Sequence, residues 1–198
     1  MKKPSSPELG CVDNFTNWKY NVHMDNNMKN ALAAPVAQFQ LPAYDQLPDM
    51  GLYLEQVTTY IDRLLSPLGS IEVTGSMIRN YVKKGLVANP VQKRYYAEQI
   101  AYLISIFVLK PVLPLESIQN LFQRQKKVYT TKVAYDYFCR ELQNVLQYRF
   151  GLGQEMADIG TTRSLEKEML RSAIIAVSEV IYLDNCFRYL AKESETNS

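Results

Sequence analysis

Five cations and no carboxylate occupy VTGSMIRNYVKKGLVANPVQKRYYA, residues 73–97. Acidic residues stop at Glu72 and resume at Glu98, although the chain has 20 of them. The stretch carries +5. The other 173 residues hold the remaining 17 basic side chains against all 20 acidic ones, a balance of −3. A local positive patch on a nearly neutral protein suits one face that meets an anionic partner while the rest stays solvated. A solvated basic run without a partner is the simpler alternative.

Periodicity sharpens the choice. Winding Ser76–Lys84 at about 100° per residue puts Met77, Ile78, Tyr81 and Val82 on one side. Ser76, Arg79, Asn80, Lys83 and Lys84 fall on the other, with no overlap. Arg and Lys neutralise phosphates or grip guanine edges, Asn pairs with adenine, and Ser reaches backbone or base. Just downstream, Lys93 and Arg94 adjoin Tyr95 and Tyr96, a combination suited to backbone contacts beside a recognition helix. One tyrosine, Tyr96, is expected to pack beneath that loop.

Catalytic alternatives find little material. The single histidine, His23, lies in a polar stretch and cannot build a His-rich metal site or a triad. GLGQ, residues 151–154, has no strand before it and makes a weak phosphate loop. Cys11, Cys139 and Cys186 are odd in number and contain no Cys-x-x-Cys pair, which favours a reducing cytoplasm over a disulfide framework. The N-terminal MKKPSSPELG lacks the apolar core of a signal peptide. The longest apolar run, residues 100–109, is far short of the ~20 residues that span a bilayer. No enzyme activity, metal or cofactor, and no membrane association, is expected.

The elements that must position these residues read as helices. Residues 1–50 are rich in Asn and Pro and are expected to form an extended arm. From Leu52 a stripe of Leu54, Val57, Ile61, Leu64 and Leu65 marks a helix ended by Pro67 and Gly69. Thr74 suits an N-cap and Gly85 a left-handed exit, enclosing a short helix at 75–84. LVANPVQKRYY suits a tight two-stranded wing or an irregular loop. Residues 98–110 are apolar nearly all round and belong at the centre of a core. Pro114 opens a helix at 115–125. Two longer helices follow at 130–149 and 165–192, the latter capped at Ser164. Their expected inward positions include Val133, Leu165, Met169 and Val180. No strand is expected outside the wing.

MIRNYVKKGL, residues 77–86, resembles the recognition helix of MerR-type regulators. KRYYAEQIAYL, residues 93–103, is similar to that family's wing and following helix, with its Arg-x-Tyr element on Arg94 and Tyr96. LPLESIQNLF, residues 113–122, is similar to the short helix after that. LPDMGLYLEQV with TGSMIRNYVKKGLV resembles, more closely, an uncharacterised family of predicted MerR-like regulators from low-GC Gram-positive bacteria. The resemblance covers roughly residues 53–125. It implies that Arg79 holds phosphate with Arg94 beside it. Asn80 stands where MerR proteins usually place an aromatic, and Lys93 replaces a common Tyr. The C-terminal part lacks the Cys or His clusters of metal-sensing members, so no effector identity carries over.

These readings combine into a mainly all-α protein: an arm at 1–50, a MerR-like winged helix-turn-helix at 51–125, and a C-terminal helical dimerisation region at 126–198. The expected function is sequence-specific binding of double-stranded DNA in the cytoplasm by a homodimer. Ser76, Arg79, Asn80, Lys83, Lys84, Lys93, Arg94 and Tyr95 would face DNA, and a small-molecule effector of unspecified identity has room to act. Residues 151–198 hold eight acids against five bases and should point away from DNA. Two rival readings are a protein-interaction module that uses the same basic face, and a small-molecule-binding helical domain with a structural helix-turn-helix.

Overall fold

The architecture is that of a computed structural model describing residues 25–69, 71–160 and 164–196. It is mainly helical. Seven α-helices run in order: α1 (Asn26–Ala37), α2 (Leu54–Leu65), α3 (Gly75–Lys83), α4 (Ala97–Leu109), α5 (Leu115–Lys126), α6 (Thr131–Arg149) and α7 (Leu165–Thr196). Two short strands, β1 (Leu52–Tyr53) and β2 (Arg94–Tyr95), pair antiparallel, with Leu52 opposite Tyr95 and Tyr53 opposite Arg94. His23 and Cys11 lie outside the described residues.

α4 is the axis. Ile100, Leu103, Ile104, Ile106, Phe107, Val108 and Leu109 are all buried, so the helix has no solvent side and other elements must wrap it. α2, α5, α6 and α7 all pack against it. α2 contributes Val57, Ile61 and Leu65, the stripe expected from spacing. α3 contributes Ile78 and Tyr81, whose ring meets Phe107 edge-on at 5.4 Å between centroids.

Part of the expected extended arm is helix. Asp25 caps α1 through its side chain, which accepts from the Asn27 amide. Leu32, Ala33 and Val36 are buried, and α1 packs on α6 and α7. Phe39, Leu41 and Leu47 follow it into the core. Intervening Asn residues dilute this apolar spacing in the sequence, and burial against distant helices supplies what local pattern lacks. β1 is a second correction, because a strand forms outside the wing. Two residues leave too little alternation to read, and their pairing needs β2, more than forty positions away.

Four expected inward positions, Val133, Leu165, Met169 and Val180, are exposed. On α6, Tyr135, Cys139 and Glu141 are buried instead. Both long helices carry apolar residues over more than one face, so periodicity alone does not select the face that finds a neighbour.

Tyr81 is 1 % exposed, and its hydroxyl has no hydrogen-bond partner among the described residues. Burial pushes its phenol pKa up. A sealed, unpaired hydroxyl costs stability without compensation. Tyr81→Phe should therefore stabilise the fold by about 1 kcal/mol and raise Tm by roughly 2–4 °C in thermal unfolding. A lowered Tm would mean that the hydroxyl has a partner.

Candidate nucleic-acid interface

The basic face is built from both ends of α3. Thr74 Oγ1 accepts from the Met77 amide at 3.2 Å and lies 2.9 Å from Ser76 Oγ. At the exit Gly85 has φ +73°, a left-handed conformation that glycine adopts without cost. The Gly85 amide donates to Val82 O and the Leu86 amide to Tyr81 O, which is the Schellman arrangement. It turns Leu86 and Val87 straight into the core. The helix is thus clamped at both termini and below, while Ser76, Arg79, Asn80, Lys83 and Lys84 are all exposed.

The wing is tighter than a loop. Val91 and Arg94 exchange both backbone hydrogen bonds across Gln92 and Lys93, at 3.0 and 2.9 Å. Gln92 (φ 49°) and Lys93 (φ 65°) are both left-handed, which defines a two-residue turn of the primed type. Neither is glycine or asparagine, so the turn stores backbone strain of roughly 1 kcal/mol or more per residue. It carries Lys93 to the exposed tip.

Arg94 and Tyr95 do not present themselves as expected. Arg94 Nη1 donates to Gly51 O at 3.2 Å and Met50 O at 3.4 Å. Its Nη2 donates to the Tyr53 hydroxyl at 3.0 Å, and the guanidinium lies 4.4 Å from the Tyr53 ring centroid. This half-buried arginine ties the wing to the entry of α2. Tyr95 is only 4 % exposed, so its side chain packs in the core and not on the basic surface. The strand pleat sends successive side chains to opposite faces, and Tyr95 takes the inward one. Tyr96, expected to be the packed tyrosine, is half-buried at the N-cap position of α4, with its ring against Gly51.

Burial raises the Tyr95 phenol pKa, and the positive charge of Arg79 partly offsets that rise. Arg79 is therefore within electrostatic reach of the Tyr95 hydroxyl. Ion pairs among the described residues involve none of Arg79, Lys83, Lys84 or Lys93. The next carboxylate after the wing, Glu98, accepts from Thr131 Oγ1 at 3.1 Å at the start of α6.

Gln99 was not singled out from the sequence. Its Oε1 accepts from the Tyr96 amide at 2.8 Å, and its Nε2 donates to Asn89 O at 2.8 Å and Ala88 O at 3.2 Å. One side chain thus joins the start of α4 to the irregular segment leading into the wing. The only sequence signal is a glutamine three residues after an N-cap position.

A family model described as Domain of unknown function (DUF1836) matches residues 42–138, a little under half of the chain. No curated protein and no solved structure matches. The matched stretch holds the whole basic face and wing. Its two ends also meet in space: the Tyr44 amide donates to Asp136 Oδ1 at 2.8 Å, and Lys132 pairs with Asp45. The packed unit around the face accordingly extends on both sides of 51–125.

Because Arg94 makes three polar contacts inside the fold, Arg94→Ala should lower stability by about 1–2 kcal/mol. Lys93→Ala should change it by less than about 0.5 kcal/mol. Urea unfolding of the two variants separates a structural arginine from an outward-facing lysine, and equal losses would contradict the assignment.

Proposed function

We propose that this chain is a sequence-specific DNA-binding regulator of winged helix-turn-helix, MerR-like type, acting in the cytoplasm. α2, the turn after it and α3 form the helix-turn-helix, and residues 91–95 form the wing. α3 lies in the major groove, where Arg79, Asn80, Lys83 and Ser76 meet bases and phosphates. Lys84 and Lys93 hold flanking phosphates. Arg94 supports the wing from within.

One observation carries this reading. A rigidly clamped helix exposes three cations, an asparagine and a serine beside a cationic wing tip, without a single ion pair to its own chain among the described residues. Unpaired surface cations held on a fixed scaffold suit a polyanion of fixed geometry.

The exposed side of α7 supports pairing of two copies. Val180, Leu183, Phe187 and Leu190 are exposed and follow at intervals of three, four and three residues. That spacing is a helical seam, and a second copy of the same helix would cover it. Two-fold pairing would set two α3 helices roughly 34 Å apart, one turn of duplex.

Selection from random duplexes should enrich an inverted repeat. Binding to it should weaken with salt at a log–log slope of about −0.9 for each phosphate contacted. Arg79→Ala should cut affinity at least about tenfold, or roughly 1.4 kcal/mol, with Tm nearly unchanged. If Arg79→Ala unfolds the protein, or no duplex is enriched, the DNA reading fails. Phe187→Glu should convert a dimer to a monomer in sedimentation equilibrium; an unchanged mass would remove α7 from the interface.

A further inference from the structure

A second candidate site lies against α6, and no basic-face residue lines it. A cleft of about 200 Å³ opens between the end of α5, α6 and the start of α7. The rings of Tyr129 and Tyr137 line it together with Gln125, Arg140 and Lys167. No carboxylate is among the lining residues.

Lys167 is the unusual member. Its side chain is only 9 % exposed, which is rare for lysine. Nζ donates to Gly160 O at 2.9 Å and Asp158 Oδ1 at 3.2 Å, and lies 5.7 Å from the Tyr137 ring centroid. An ammonium has three donors, and these contacts use two. Behind the cleft, Glu141 is fully buried with Oε1 3.0 Å from Arg171 Nη1, and Arg171 also reaches Asp158. Burial, then the Glu141 carboxylate, pushes the Tyr137 phenol above its ordinary range, so this tyrosine stays neutral. The carboxylates near the cleft are thus spent on holding Lys167 and Arg171, and the wall facing the cleft is aromatic and cationic. Asn144 fixes the outer loop by exchanging two hydrogen bonds with Ala157, at 2.8 and 3.1 Å.

We propose that this cleft binds a small aromatic carboxylate of one ring. A cavity of about 150 Å³ accommodates a benzene ring, so a cleft of about 200 Å³ has room for one ring and its acid group. The ring would stack against Tyr129 and Tyr137. The carboxylate would take the third donor of Lys167, with Arg140 at the rim. The site stands on its own geometry and does not require that the chain bind DNA.

Isothermal titration of the full chain with benzoate, in the absence of DNA, tests it. Benzoate should bind one to one with Kd on the order of 1 mM or tighter, and uncharged benzamide at least about tenfold more weakly. Val133→Trp, at an exposed position beside the cleft, should fill it and abolish binding. Arg140→Gln should weaken benzoate several-fold, and Lys167→Met at least about tenfold if the variant folds. Should Lys167→Met unfold, Val133→Trp and Arg140→Gln decide the question. No saturable heat at ten times the expected Kd, equal binding of benzamide, or undiminished binding by Val133→Trp would each overturn the proposal. Failure here leaves the duplex-selection result untouched, and the reverse also holds.

Discussion

A helix with no solvent side is the constraint on which this fold rests. α4 buries ten of the eleven positions after its first two residues, and each large aliphatic side chain among them contributes about 1.5–3 kcal/mol when removed from water. Such a helix is stable only when surrounded. α2, α3 and the wing cover one end of its circumference, and α5, α6 and α7 cover the rest. Because Ile78 and Tyr81 must reach this axis, the opposite side of α3 is forced into solvent. The orientation of the basic face therefore follows from hydrophobic packing, and its charges then act without cost to the core.

The same economy separates two kinds of cation. Lys83, Lys84 and Lys93 stay in water, where an unpaired charge is well solvated. Arg94, Arg171 and Lys167 are drawn toward the interior, and each is met by carbonyl or carboxylate oxygen, as burial of charge demands. Arg94 uses its planar fork to bridge two backbone carbonyls and a tyrosine hydroxyl, a geometry lysine could not reproduce. A cation count over the sequence cannot make this distinction, since the deciding oxygens come from segments far along the chain.

Several elements were legible from local pattern because local physics builds them. The limits of α3 follow from Thr74 and Gly85, a cap and a left-handed exit whose hydrogen bonds close within a few residues. The core role of α4 follows from its composition alone. α1, β1, the burial of Glu141 and the exposure of Val133 were not legible. Each depends on which neighbour happens to cover a segment, and helices with apolar residues on several faces leave that choice open.

Residue order by itself determined that a short amphipathic helix would separate its cations from its apolar side, because a 3.6-residue period makes that separation wherever the chain turns helical. Only the tertiary structure decided which cations remain outside. Arg94 and Tyr95 follow Lys93 directly in sequence, yet the pleat turns Tyr95 inward and the oxygens of residues 50, 51 and 53 hold Arg94 against the fold. Long-range contacts alone bring those oxygens within hydrogen-bond reach, and no local rule encodes their arrival.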